Sequence, residues 1–343
     1  MSAPVRGRNR RATVILVIAV AGVLAGCVLS LVVGARPTSP GAAFSALFAG
    51  PDGGGGGGDL AQVVWQLRVP RTLLALAAGA ALAVSGAFAQ AWTRNPLADP
   101  GIIGITAGAA FAVAVGTTLG AVALGSQALL ALAGAGAVAL VVLAVSRRTS
   151  DPLTLLLVGF GMAAALRAAT TLLALQDSSV LDGMRQWIVG STVGRSGGDL
   201  AIAAVGLAVG LVFAAVAARP MDLLAMGEST AVGLGGSPRT TRTLTALAVV
   251  ILAGSATAAV GPIAFVGFAA PHLVRRFTGP SLSRMLIPTA LVGAAITLLA
   301  DVLGRVVARP GEVEVSVVLA VIGAPLLIAS VVRMRRSRPA VFA

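Results

Sequence analysis

Long apolar stretches separated by short polar segments run through the whole chain. Most of them have about 20 residues, enough to cross the ~30 Å hydrocarbon layer of a membrane as one helix. The pattern predicts spans at 13–34, 71–92, 102–122, 127–146, 153–175, 200–218, 244–261, 285–307 and 315–332. A shorter stretch at 263–273, between Pro262 and Pro271, is predicted to be a half-span or a re-entrant segment. We therefore expect an all-α membrane protein with about ten transmembrane helices in one compact bundle.

Composition supports a membrane protein. Of the 343 residues, 57% are hydrophobic and 11% are charged, and the mean hydropathy is +0.97. A soluble domain of this length cannot bury so much apolar surface, because much of any folded chain faces the solvent. The sequence therefore excludes a soluble protein and predicts a single transmembrane domain over residues 1–343.

The distribution of arginine predicts the orientation. All 25 basic residues are arginine, and most lie in the segments that face the same side if the N-terminus is inside. Positive charge marks the cytoplasmic side of a membrane protein, so residues 1–12 and 333–343 are expected to be cytoplasmic tails. The net charge of +13 does not indicate nucleic-acid binding, because tyrosine is absent and aromatic residues make up 4% of the chain.

The sequence offers no catalytic constellation. A phosphate-binding P-loop needs a lysine, and this chain has none. The single histidine, His272, has no cysteine or carboxylate at metal-ligand spacing, so we expect no metal site. Any energy for transport must therefore come from a partner.

A polar segment with exposed apolar residues is predicted between the sixth and seventh spans, at 219–242. Leu223, Leu224 and Met226 lie there between Pro220 and Gly227. Two short helices joined by a glycine turn would present these side chains to another protein, because exposed apolar groups usually mark interfaces.

Several motifs occur together and in order from Arg68 onward. They are RVPRTLLALAAGAALAVSGAFAQ, TRNPLADPGIIGITAGAA, QWIVGS, MDLLAMGESTAVGLG, GPIAFVGFAAPHLVRR, ADVLGR and GAPLLI. As a set they resemble the FecCD-type permease subunits of ATP-binding-cassette (ABC) importers for iron siderophores, haem or cobalamin.

That resemblance implies a set of partners. A cytoplasmic ABC ATPase dimer would bind ATP and magnesium, so this chain would hold no cofactor and would not be an enzyme. A second permease subunit, identical or paralogous, and an extracytoplasmic substrate-binding protein would complete the importer in the cell membrane. Membrane lipid is an expected partner and nucleic acid is not.

The resemblance also assigns roles to individual residues. The segment 219–242 matches the loop that couples a permease to its ATPase, through Leu223, Leu224, Met226, Gly227, Glu228 and Gly235. Arg68, Arg71 and Arg305 match the arginines that meet acidic groups of the binding protein. Interfacial snorkelling of these three side chains is the alternative interpretation.

Two features depart from the family pattern. Before the last span the chain has Glu312-Val313-Glu314-Val315-Ser316, which lacks the usual helix-starting proline. Arg167 lies inside the fifth span, and a charge there is a functional hypothesis by default. The resemblance implies that the fifth helix lines the translocation path, where Arg167 would favour an anionic chelate. Snorkelling towards Asp177 at the outer surface is the alternative.

The favoured function is therefore transport of a ferric siderophore by alternating access, with cobalamin or haem as alternative substrates. An ion-coupled secondary transporter is an alternative of another class. It would require intramembrane carboxylates, and the spans contain almost none besides Asp301. A channel-like or purely structural membrane protein is a third hypothesis.

Overall fold

The computed structural model of the protein describes residues 5–34, 38–51, 58–121, 124–146, 148 and 152–336. In these ranges the regular elements are helices: α1 Val5–Val32, α2 Pro40–Ala49, α3 Gly58–Gln62, a π-helical turn Val63–Arg68, α4 Val69–Trp92, a 3-10 turn Pro100–Ile103, α5 Ile105–Thr118, α6 Leu124–Ser146, α7 Pro152–Gln176, α8 Ser178–Ile188, α9 Gly197–Leu224, α10 Glu228–Gly233, α11 Pro238–Val260, α12 Val266–Thr278, α13 Leu282–Val307 and α14 Val315–Arg336. The predicted all-α class is confirmed. Parts of both predicted tails, residues 1–4 and 337–343, lie outside the described residues.

Each predicted span falls on one of these helices. Among the described residues, seven helical segments are long and apolar enough to cross a membrane: Arg10–Val32, Asp59–Trp92, Gln127–Val145, Leu157–Gln176, Gly197–Leu224, Pro238–Val260 and Leu282–Val307. The other three predicted spans correspond to α5, α12 and α14. Of these, α5 has 14 residues and α12 has 13, so each is shorter than a full crossing.

Helix α4 forms the centre of the bundle and packs against α9, α11, α12 and α13. In the most apolar stretch of the span that contains α4, 89% of the residues are buried. The corresponding share is 22% for α1, 17% for α7 and 28% for α9. Helices α1, α7 and α9 therefore lie at the rim of the bundle, whereas α4 is surrounded by protein. The central helix therefore fixes the relative positions of the helices around it.

Small residues allow this close packing. A side chain at Gly86 of α4 would overlap the backbone of Gly267 at the start of α12, and one at Gly206 of α9 would overlap Ser255 of α11. Without a hydrophobic force between helices in lipid, such close backbone approach is a main source of helix association. Gly206 and Gly210, one helical turn apart on α9, thus both lie in a helix–helix contact with α11.

The polar segment between α9 and α11 is shorter than predicted. Helix α9 continues through Pro220 to Leu224, whereas the prediction ended the span at residue 218. Proline is tolerated in membrane helices because neighbouring groups satisfy the freed backbone carbonyl, so it is a poor boundary signal there. Helix α11 also begins early, at Pro238, because Ser237 caps it through a bond from Thr240 N. Only one short helix, α10, lies between them, where two were predicted.

Helix α14 begins where it was predicted in spite of the missing proline. The carbonyl of Glu314 accepts hydrogen bonds from Val317 N (3.0 Å) and Val318 N (3.2 Å), which start the helical ladder. Ser316 Oγ donates to the carbonyl of Val189 and so ties this helix start to the segment after α8. The replacement of the family proline therefore leaves the start of the helix intact.

Candidate functional site

The segment from α9 to α11 folds as a tight turn, a short helix and a second turn. Gly227 adopts φ +119° and Gly235 adopts φ +79°, conformations that favour glycine because it lacks a Cβ. These two residues end the turns on either side of α10. The predicted glycines are therefore required by the geometry of this loop.

Three apolar side chains of this loop are strongly exposed. Met226 is 59% exposed, Val232 56% and Leu234 62%. We call these three residues the loop surface. Exposed apolar groups on a protein end that carries arginines are typical of a surface that another protein covers.

The structure corrects the prediction for Leu224, which was expected on the exposed surface. Leu224 is 5% exposed and Leu223 is half-buried. Of the three predicted apolar residues, only Met226 is therefore strongly exposed. The reason is that Leu224 still belongs to α9 and follows Met221 on its buried face. The spacing of Ala217, Met221 and Leu224 is helical, and this periodicity was the signal that could have placed Leu224 inside. Val232 and Leu234 were not singled out from the sequence.

Two polar contacts join the region of the loop to the neighbouring helices, one from the last turn of α9 and one from α10. Asp222 accepts hydrogen bonds from Leu282 N (2.7 Å), Ser281 Oγ (2.7 Å) and Ser283 N (3.2 Å), and it thereby caps the start of α13. Glu228 accepts from Arg242 Nη2 at 3.0 Å, which joins α10 to α11. A force on the loop would therefore reach α9, α11 and α13 together.

A buried ionic cluster lies at the opposite end of α4. Asp301 of α13 accepts two hydrogen bonds from Arg71 Nε (3.1 and 3.2 Å), one from Arg71 Nη2 (2.8 Å) and one from Thr192 Oγ1 (2.6 Å). It also pairs with Arg305 one helical turn away. Arg71 Nη1 reaches Glu312 at 2.7 Å. We call these five residues the Asp301 cluster.

The arginines of this end are also bonded to the backbone of α1. Arg305 Nη1 donates to Ser30 O (2.8 Å), and its Nη2 donates to Ser30 Oγ (3.0 Å). Arg68 Nη1 donates to Leu31 O (2.6 Å) and to Thr38 Oγ1 (2.9 Å). These bonds satisfy carbonyls at the end of a helix, which otherwise lack intrahelical partners.

This arrangement corrects the expectation that Arg68, Arg71 and Arg305 offer free charges to a binding protein. Arg68 is 5% exposed and Arg305 is 1% exposed, and both donate to groups of their own chain. Arg71 is the most accessible, with 15% of its side chain exposed, but Asp301 and Glu312 occupy its donors. The sequence placed the three arginines at one end of the bundle but did not predict the acidic residues that meet Arg71 and Arg305 there.

Arg167 lies on an exposed face of α7. It is nine residues before the helix ends at Gln176, about 13 Å along the helix axis. In the described part of the chain its side chain has no hydrogen-bond or ion-pair partner. The alternative partner Asp177 instead caps α8 through Ser179 N (2.8 Å) and Ser179 Oγ (2.7 Å). These bonds from Ser179 hold the pKa of Asp177 below its usual range.

Comparison with known proteins agrees with this architecture. The model of the FecCD transport family matches residues 20–333. The chain belongs to the FecCD transport family. It is 40% identical over 278 residues to the ferric enterobactin transport system permease protein FepD of Escherichia coli (strain K12), covering 80% of this chain and 83% of FepD.

A longer alignment and a solved structure extend the family similarity. The chain is 33% identical over 327 residues to the Fe(3+)-citrate import system permease protein YfmE of Bacillus subtilis (strain 168), covering 95% of this chain and 96% of YfmE. The fold matches a metal-chelate type ABC transporter solved in an inward-facing conformation, with a TM-score of 0.80 and 28% identity. That match covers 93% of this chain and 99% of the solved chain. The similarity therefore extends over nearly the whole FecCD-family fold.

Proposed function

We propose that this chain is the permease subunit of an ABC importer that carries a ferric siderophore across the cytoplasmic membrane. A partner ATPase dimer supplies the energy by hydrolysing ATP. The observation that carries this proposal is the loop surface of Met226, Val232 and Leu234, which is apolar and exposed. The neighbouring Asp222 and Glu228 bond this region to α13 and α11. Relatives named for ferric enterobactin and Fe(3+)-citrate support the substrate class.

The contacts of the loop support a mechanism by alternating access. Closure of the ATPase dimer moves the covered loop, and Asp222 passes this displacement to α13 while Glu228 passes it to α11. Both helices pack against the central α4. The bundle then opens to one side of the membrane at a time.

The proposed orientation places the α9–α11 loop and both termini in the cytoplasm. Arginines are concentrated at this end, where Arg94, Arg219, Arg239, Arg276 and Arg284 are exposed. An excess of positive charge favours the cytoplasmic side. The Asp301 cluster then lies at the outer end, close to the surface on which a substrate-binding protein docks.

A second permease subunit would cover helices that are exposed in the single chain. Helix α7 is 17% buried in its most apolar window. In α14, Val321 is 69% exposed and Ile328 is 63% exposed. We place Arg167 on the path between the two subunits, where its positive charge favours an anionic ferric chelate. Lipid covers the remaining exposed apolar helix faces.

Other functions have less support. Cobalamin and haem remain alternative substrates, although the relatives reported above are named for ferric compounds. An ion-coupled transporter needs a carboxylate that can bind the coupling ion. Asp301, the candidate for that role, already accepts bonds from Arg71, Arg305 and Thr192.

Uptake of a radiolabelled ferric siderophore, in a strain that lacks this chain, tests the proposal. The intact gene should restore uptake, and a Met226→Glu variant should restore it poorly because a charge enters the covered loop surface. Met226→Leu keeps an apolar side chain at the same position and should behave as the intact protein. Equal uptake by the Glu and Leu variants would contradict the role of the loop surface.

A further inference from the structure

A cavity of about 460 Å³ opens beside the α9–α11 loop. Its walls come from the end of α4, the loop itself and the adjoining ends of α11, α12 and α13. The polar groups that line it include Gln90, Arg94, Glu228, Arg242 and Arg275. This cavity is separate from the exposed loop surface, and only its Glu228–Arg242 pair has a role in the mechanism described above.

The cavity carries an excess of positive charge. Three arginines line it, and Glu228 is the acidic residue among its lining residues. Glu228 is bonded to Arg242 at 3.0 Å, so the charges of Arg94 and Arg275 are not balanced by a carboxylate in the described part of the chain. Two uncompensated guanidinium groups that face one concave site form a binding site for an anion.

The guanidinium group of Arg275 is held in place by the neutral side chain of Gln90. Arg275 Nη2 donates to Gln90 Oε1 at 2.9 Å, and Gln90 Nε2 donates to the carbonyl of Gly267 at 3.1 Å. Gln90 is 3% exposed and cannot turn away. This chain of bonds holds the guanidinium group without neutralising it, which leaves its other donors available to a ligand.

We infer that this cavity receives a carboxylate side chain of the partner ATPase, with Arg94 and Arg275 as its ligands. The inference rests on the proposed function and specifies the chemistry of the docking partner. Leu224 at the end of α9 and Ala225 and Glu228 of the loop form part of the cavity wall, so a protein that covers the loop surface also reaches the cavity. Its acidic side chain would enter between the two arginines while its apolar groups cover Met226, Val232 and Leu234.

The location favours a protein carboxylate over a lipid phosphate. The cavity is surrounded by the ends of several helices and by the loop, and it does not lie along the rim of a single outer helix. Its approach is therefore from the cytoplasm, where the ATPase docks. The surface around the cavity is also basic, because the exposed Arg239 and Arg276 lie close in sequence to Arg242 and Arg275. Such a surface would attract an acidic surface of a partner protein.

A pair of neighbouring arginines gives a matched test. Arg275→Gln removes a charge that lines the cavity, whereas Arg276→Gln removes an exposed charge that contacts His272 of the same helix. Both changes alter the net charge and the cytoplasmic arginine count equally. Arg275→Lys keeps the charge at the cavity and serves as the second variant if the glutamine disturbs folding, which gel filtration would reveal.

The experiment measures binding of the purified cognate ATPase dimer to the permease in nanodiscs of neutral phosphatidylcholine, over a range of NaCl concentrations. We expect Arg275→Gln and Arg94→Gln to weaken binding by about tenfold or more and to reduce its salt dependence. Arg276→Gln should change affinity by less than about twofold, as expected of a charge that makes no direct contact, and Arg275→Lys should bind more tightly than Arg275→Gln.

Several results would overturn the inference. Equal affinities for the Arg275→Gln and Arg276→Gln variants would reduce the effect to general electrostatics and leave the proposed function intact. An effect of Arg275→Gln that appears only after phosphatidylglycerol is added to the nanodiscs would assign the cavity to a lipid phosphate. Absence of any ATPase binding by the unmodified chain would overturn both the inference and the proposed function.

Discussion

Removal of the charge of Asp301 gives the sharpest prediction about the bundle. Asp301→Asn keeps the size of the side chain but leaves Arg71 and Arg305 with only Glu312 as an acidic partner in the described part of the cluster. Arg305 has 2% of its side chain exposed and Arg71 has 15%, so neither guanidinium can recover its hydration. The expected result is strong destabilisation of the end of the bundle that holds the Asp301 cluster.

The magnitude follows from the burial of the pair. Loss of one partner of a buried ion pair costs about 3–5 kcal/mol, because the remaining charge is left uncompensated. This is a large fraction of the ~5–15 kcal/mol that typically stabilises a folded protein. We therefore expect the midpoint of thermal unfolding to fall by at least about 5 °C. The measurement is thermal denaturation in detergent followed by gel filtration of the remaining folded protein.

An exposed ion pair of the same chain provides the control. Glu228 has 50% of its side chain exposed, so Glu228→Gln should cost only about 0–1 kcal/mol although it also breaks a carboxylate–arginine contact. The comparison separates burial from charge loss. An Asp301→Asn protein that melts within about 1 °C of the Glu228→Gln protein would refute the view that the Asp301 cluster holds the helices together.

Three further predictions concern packing, coupling and substrate. Gly86→Ala should destabilise the α4–α12 contact by about 1–3 kcal/mol and so reduce the yield of monodisperse protein. Gly136→Ala should be tolerated, because the added methyl group meets no atom within 4 Å, and equal yields of the two variants would contradict this packing. Val232→Glu should lower co-purification of the ATPase several-fold with no change in the melting temperature of the isolated chain, and unchanged co-purification would remove Val232 from the docking surface. Arg167→Gln should slow uptake of an anionic ferric chelate more than Arg167→Lys does, and identical rates for the two variants would remove Arg167 from the path.

The sequence predicted the helices of this fold well because their apolar stretches are long and continuous. It predicted the helix ends poorly where prolines occur. Pro220 and Pro271 lie inside α9 and α12, although both were read as boundaries. A proline in a buried or lipid-facing helix loses one hydrogen bond, and packing with its neighbours outweighs that loss.

The candidate sites were predictable only in part, because their partners come from distant positions. Arg71 meets Asp301 and Glu312, which follow it by 230 and 241 residues. Pattern analysis indicates that Arg71 and Arg305 lie at the same end of the bundle, but it cannot show which carboxylates reach them. Likewise, Gln90 and Arg275 are 185 residues apart, and neither marked the cavity beside the loop in the sequence.

The most direct test of the proposed function is transport by the purified importer in liposomes. Permease and ATPase are reconstituted together, the substrate-binding protein and a radiolabelled ferric siderophore are added on one side, and ATP is enclosed on the other. We predict accumulation of the chelate that requires ATP, stops with a non-hydrolysable analogue and is unaffected by ionophores. Uptake that proceeds without ATP and collapses when ionophores dissipate the ion gradients would contradict the account.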